Sequence, residues 1–336
     1  MSGASRVIEV MRAAKWVIEH NVKKGQHVAI LTNPTVPQEI PTALAAAAAS
    51  IGAIVVTVYF PTPSVPSEEP PKTVLGIMKS ADVVISAAAH SVSFTRAKLE
   101  SAKLGGIHIG SPGDEIDSYV KGCVEVYFDE SEFQKMHERG LWLADLLMKA
   151  NEVRITSENG TDIKGSIRGR VPFPSTGITF GPYTGTAFPS GEVMLPPVEG
   201  TSEGVVVLDT SMGGIGRITT PIRLTVKEGK VYEIAGGEEA DRLRRLVENA
   251  GEGGDNLAEF GIGLNTKARV TGRTNEDKRA AGSAHIALGS NDCFGGCTVE
   301  GMCGNVHAEY HLDGTVAVAT VYVDSKKIVD NGKLLF

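Results

Sequence analysis

Four side chains able to bind a divalent metal lie between Asn256 and Gly314. They are Glu259 in NLAEFGIGLN, His285 in SAHIALGSNDCFGG, and His307 with Glu309 in GNVHAEYHLDG. Carboxylates and imidazoles together suit zinc, cobalt, manganese or ferrous iron. Glycines and small residues surround them, so the backbone can approach a site closely. If GNVHAEYHL is a strand, alternation puts His307 and Glu309 on one face, and His311 shares it if the strand continues. A His-x-Glu pair on one face is either a two-ligand edge of a metal site or part of a solvated strand face. His285, among small apolar residues, is either a ligand or a hydrogen-bonded core histidine. Glu259 adjoins Phe260 in an apolar run, where an unpaired charge is costly, so a metal or an arginine must meet it. Glu192, in FPSGEVMLPPVEG, has the same character or faces water from a loop.

Other chemistries are set aside by spacing and composition. Cys293, Cys297 and Cys303 are separated by three and five residues, which is not the C-x2-C pair of structural zinc sites. They read, with Cys123, as thiols, too few for a disulfide scaffold at this length, and the expected compartment is the cytoplasm. A net charge of -7 opposes a nucleic-acid partner. No apolar run reaches the roughly 18 residues a membrane span needs. MSGASRVIEVMRAAKWVIEH is charged throughout and reads as an amphipathic helix rather than a signal peptide. The partner expected is a small molecule or a short peptide.

The elements that must position these residues fall into two textures, giving an α/β fold. Residues 1–128 alternate apolar strands (HVAIL, AIVVTVYF, DVVISAA, GIHIG) with helices, the pattern of a parallel sheet flanked by helices. No GxGxxG fingerprint marks a dinucleotide. Residues 129–150 form a linking helix. Residues 151–336 are β-rich, mainly antiparallel, with hairpin turns such as KEGK and one clear helix, EEADRLRRLVENAG. This α+β part carries the candidate ligands. His90 follows the strand DVVISAA, where an open parallel sheet presents ligand-binding groups, so it is a candidate acid or base at the domain junction. PSTGITFGPYTG has loop composition.

Taken in order, VRITSENGTDIKGSIRGR, GEVMLPPVEGTSEG, AEFGIGLN, AHIALGSN and VHAEYHLDGTV resemble the aminopeptidase S and aminopeptidase T metallopeptidases. That family also contains 2,5-dihydroxypyridine 5,6-dioxygenases. The resemblance extends weakly into the N-terminal half at SVSFTRAKLESAKLG. It implies metal-binding carboxylates at Glu192 and Glu259, a first histidine ligand at His285, and a closing His-x-Asp at His307 and Glu309, with Glu for Asp. The peptidases' tyrosine, seven residues after the first histidine, is replaced by Asp292, a candidate ligand, general base or cation-binding group. The reading favoured by the carboxylates is a two-metal hydrolase of the aminopeptidase kind, using zinc, cobalt or manganese to activate water. The alternative is a single ferrous iron on His285, His307 and Glu309 that opens a hydroxylated, pyridine-type ring. The resemblance also implies a homodimer.

Overall fold

In the computed structural model, which describes residues 3–112, 116–297 and 299–336, helix and strand alternate through the first third of the chain. The order is α1 (Gly3–Asn21), β1 (His27–Thr32), α2 (Glu39–Ser50), β2 (Ile54–Tyr59), α3 (Lys72–Ser80), β3 (Val83–Ala88), α4 (Arg96–Lys103) and β4 (Ile107–Pro112). The strands pair in parallel in the order β2-β1-β3-β4. Both faces are covered, which is why β3 is apolar almost throughout. Val83, Ile85 and Ala87 join the core under α1 and α2, whereas Val84 and Ala88 join the one under α3 and α4. No helix among the described residues is long and apolar enough to cross a membrane.

A short helix α5 (Asp117–Val120) and a tight 3-10 segment lead to α6 (Glu130–Met148), the expected linking helix. Its cap is Asp129, which accepts from the N–H groups of Ser131 and Glu132 at 3.1 and 3.2 Å. The strands that follow are β5 (Glu152–Thr156), β6 (Asp162–Ser166), β7 (Phe173–Ser175), β8 (Gly185–Ala187), β9 (Glu192–Leu195), β10 (Glu203–Leu208), β11 (Ser211–Met212), β12 (Gly216–Arg217), β13 (Ile222–Lys227) and β14 (Lys230–Ala235). Then come α7 (Glu238–Ala250), β15 (Leu257–Gly263), α8 (Thr274–Asp277), β16 (Ala284–Gly289), β17 (His311–Val316), β18 (Thr320–Val323), β19 (Lys326–Asp330) and β20 (Lys333–Leu334). Two antiparallel sheets result, ordered β14-β13-β10-β6-β5-β18-β19-β20 and β12-β11-β17-β16-β15-β9-β7. They meet through Ile163, Leu208, Phe260 and Leu312, and Gly165 leaves room for the Phe260 ring.

Three details differ from the sequence reading. Strand β8 lies beyond residue 151, yet it pairs in parallel with β4, Gly185 opposite His108, and completes the first sheet. The segment PSTGITFGPYTG is therefore not all loop, since β7 and β8 take up its two ends. Cys297 and Cys303 form a disulfide, and only Cys123 and Cys293 are the buried thiols expected.

Candidate metal centre

Four adjacent strands, β9, β15, β16 and β17, bring five ionisable side chains to one face of their sheet. Alternation along β17 points His311 and Asp313 the same way, and the register sets them opposite Gly289 and Ala287 of β16. His285 stands between Gly261 and Thr315, and Glu192 opposite Gly263. The small partners create the room. A Cβ on Gly261 would fall 2.0 Å from Cε1 of His285, so only glycine lets that ring lie across β15. Glu259 stands opposite Ala287, two residues before Gly261, so alternation sets its carboxylate on the same face.

Glu259 lies at the middle of the cluster. Its Oε1 is 2.8 Å from His285 Nε2 and its Oε2 is 3.0 Å from His311 Nε2. Asp313 Oδ1 lies 3.5 Å from His311 Nε2, and Glu192 Oε2 lies 3.5 Å from His285 Nε2. One donor atom each from Glu259, His285 and Asp313 lies within 4.8 Å of the others. Glu192, Glu259, His285 and His311 are buried. Two cations from just after α8 close the cluster. Lys278 Nζ is 3.2 Å from Glu192 Oε2 and 3.1 Å from Asp313 Oδ2, and Arg279 Nε is 3.2 Å from Glu192 Oε1. Asp277 fixes their backbone by accepting from Ser211 Oγ at 2.6 Å and from the Thr271 N–H at 2.6 Å.

The electrostatics follow from crowding without water. Burial alone would raise the Glu259 pKa, but its hydrogen bonds to His285 and His311 outweigh that and hold it at about 2. Burial would lower His311, yet Asp313 and Glu259 raise it to about 9. Lys278 likewise stays charged, because Asp313 and Glu192 overcome its desolvation. His311 Nδ1 lies 2.7 Å from the carbonyl of Ser290. A ring that donates there from Nδ1 presents Nε2 to the cluster, the outer-shell arrangement typical of ligating histidines. The proton on Nε2 then stands where a cation would bind. Glu192 Oε2 and Asp313 Oδ1 are buried with no aligned hydrogen-bond donor. The donor set, with Asp313 Oδ1 left without a donor, fits a divalent ion.

The structure brings Glu192, Glu259 and His285 together as the sequence suggested, but not His307 and Glu309. The chain is irregular at those residues and becomes a strand only at His311. His307 is exposed and its Nδ1 is 3.1 Å from Asp292 Oδ2, while Glu309 faces solvent. A His-x-Asp pair stands four residues later, at His311 and Asp313, where β17 begins. Its signal was the apolar, strand-forming run that starts at HLDG. Asp292 accepts from Ser290 Oγ at 2.7 Å and turns to His307 rather than to the cluster. Lys278 and Arg279 carried no sequence signal, because KR in a polar stretch resembles solvated surface.

A cavity of about 430 Å³ opens over the cluster. Glu192, Lys278, Arg279, His311 and Asp313 line one side, and His90, Phe94 and Lys98 line the side built from the parallel sheet. Phe94 stacks on His311 with ring centroids 3.5 Å apart.

Two solved structures share this fold along nearly the whole chain. The 2,5-dihydroxypyridine dioxygenase from Pseudomonas putida KT2440 is 20% identical, with a TM-score of 0.77 over 98% of this chain and 97% of that one. AmpT from Thermus thermophilus is 17% identical, with a TM-score of 0.64 over 98% of this chain and 99% of that one. No protein of curated function matches the chain in sequence. The sequence model of the family NicX, 2,5-dihydroxypyridine 5,6-dioxygenase, matches residues 11–336, and the chain belongs to that family.

Proposed function

We propose that this protein is an oxygenase with one metal ion per chain, opening a hydroxylated, pyridine-type ring. The observation that carries this reading is the pair Lys278 and Arg279, ion-paired to Glu192 and Asp313 inside the centre. Three carboxylates, Glu192, Glu259 and Asp313, face two permanent cations, leaving one negative charge in excess. One divalent ion turns that into a single positive charge, suited to an anionic ring diol. Two ions would leave three positive charges in a buried place, which is costly. The two-metal hydrolase expected from the carboxylates needs Glu192 as a ligand, and here that residue is held by both cations.

His285, His311 and Asp313 would hold the ion, a two-histidine, one-carboxylate set. Ferrous iron so bound supplies redox chemistry and open positions for dioxygen and a chelating diol. The chain's residues do the rest. In the metal-free chain Glu259 holds both imidazoles by their Nε2 atoms, contacts that a bound ion would replace, and the Ser290 carbonyl fixes the His311 tautomer. Phe94 and Phe294 pack against His311 and exclude water from that side. His90, on the cavity wall beyond β3, takes the proton of a ring hydroxyl as general base. Asp292 is engaged with His307 and has no part in this step.

The test is oxygen uptake by iron-loaded protein given 2,5-dihydroxypyridine or its monocarboxylates, beside hydrolysis of leucyl amides by the zinc-, cobalt- or manganese-loaded protein. Oxygen consumption with ring opening is expected. Amide hydrolysis without oxygen uptake overturns the reading.

A further inference from the structure

On the cavity wall formed by the parallel sheet, Lys98 is a buried cation that neither the fold nor the metal centre uses. It lies in the first turn of α4 and is 6% exposed. Its Nζ comes 3.7 Å from where a Cβ on Gly185 would be, and the Phe173 ring reaches the same place at 3.7 Å. Among the described residues its ammonium has no hydrogen-bond or ion-pair partner, whereas every buried cation of the metal centre has one. Burial lowers its pKa to about 8, so it is still mostly charged at neutral pH. Two more polar atoms beside it are buried and unsatisfied, Ser86 Oγ and His108 Nε2. Ser86 pairs with Gly110 and Val84 with His108, so strand alternation sets Ser86 and His108 on the α4 side of the sheet. Ser93 Oγ lies 3.1 Å from the Cβ position of Gly110, over the same spot. Buried, unpaired polar groups are costly, and two of them beside an ammonium with no partner call for an anion.

The anion is small. The helix N-terminus that would cradle a phosphate is already filled: Glu69 accepts from the N–H groups of Arg96 and Ala97, and Thr95 Oγ1 from that of Lys98. Distance to the metal centre follows from β7. Phe173, whose ring borders Gly185 as the ammonium does, is two residues from Ser175, and Ser175 pairs with Glu192. That is roughly 7 Å of strand, on the order of one substituted aromatic ring.

We propose that the ring substrate carries a carboxylate, and that Lys98, with the hydroxyls of Ser86 and Ser93, binds it while the metal centre holds the ring oxygens. This rests on the ring-substrate reading above. It makes the preferred substrate a carboxylated relative of 2,5-dihydroxypyridine rather than that compound itself.

The test is calorimetric binding of 2,5-dihydroxypyridine and each of its monocarboxylates to the anaerobic, metal-loaded protein, with oxygen uptake recorded on the same samples. At least one monocarboxylate should bind tenfold or more tightly than the parent ring. Lys98→Met, which keeps the aliphatic stem, should erase that preference and leave the parent within twofold. Lys98→Arg should restore part of it. The inference is overturned if no monocarboxylate outbinds the parent, if no ring binds at all, or if Lys98→Met weakens all rings equally, as a purely structural lysine would. Carboxylate preference without oxygen uptake keeps this inference and removes the oxygenase reading. Oxygen uptake on the parent ring with no preference does the reverse.

Discussion

Replacing Lys278 by Met is the perturbation that most exposes the logic of the centre. The methionine keeps the length of the stem and removes only the charge. The ammonium now bridges Glu192 Oε2 at 3.2 Å and Asp313 Oδ2 at 3.1 Å, and its side chain is 9% exposed. Removing one partner of a buried ion pair leaves an uncompensated charge and costs about 3–5 kcal/mol. An exposed pair such as Lys149–Asp145, with side chains 71% and 66% exposed, is worth about 0–1 kcal/mol, so Lys149→Met serves as control. Urea unfolding of the metal-free variant at pH 7 should therefore show a loss of about 3–5 kcal/mol for Lys278→Met and almost none for the control. The variant also has one more negative charge in excess at the centre. Equilibrium dialysis against zinc should then give one ion per wild-type chain and a second in the variant. A stability loss below about 1 kcal/mol together with unchanged stoichiometry would refute the reasoning.

The other expectations concern the ligands, the proton and the space around them. His285→Ala and His311→Ala should each abolish metal binding measured by dialysis, while His307→Ala and Glu309→Ala retain it; loss of metal in the last two would restore the sequence alignment. Gly261→Ala should cut metal affinity at least tenfold, because its Cβ would lie 2.0 Å from the His285 ring; unchanged affinity means that the ring moves freely. The folded protein holds the His311 proton to about 9, above its ordinary value near 6.5. Its stabilising effect on the metal-free chain is thus complete below about pH 6.5 and lost as pH rises to about 9. The urea midpoint should fall across that window and metal affinity should rise through it, and His311→Gln should remove both trends. Glu259, held at about 2, has the opposite sign, giving stability above about pH 4.5 that is lost as pH falls towards 2.

The parallel sheet was legible because its inner strands β1 and β3 are buried on both faces. VVISAA and HVAILT are continuous apolar runs with helical periodicity between them, and little else fits that pattern. Strand β8 was not legible, since GTA is too short to show a period and is placed by its pairing with His108–Gly110. Glu192, Glu259 and His285 could be read as one set because each stands in a short apolar run where a charge needs a reason. His307 and Glu309 misled because alternation holds only inside a strand, and nothing in GNVHAEYH says that the strand waits until His311. Lys278, Arg279 and Lys98 were invisible for a common reason. A lysine or arginine defaults to solvent in any sequence reading, and only long-range packing puts these three beside carboxylates or in a closed cavity.

The most direct measurement is the metal content of protein purified without oxygen and dialysed to constant weight, by mass spectrometry of the digested sample. One ion per chain, iron, with loss of that ion in His311→Ala, is the expected result. Two ions of zinc, cobalt or manganese per chain, with Lys278 and Arg279 in place, would contradict the single-metal centre.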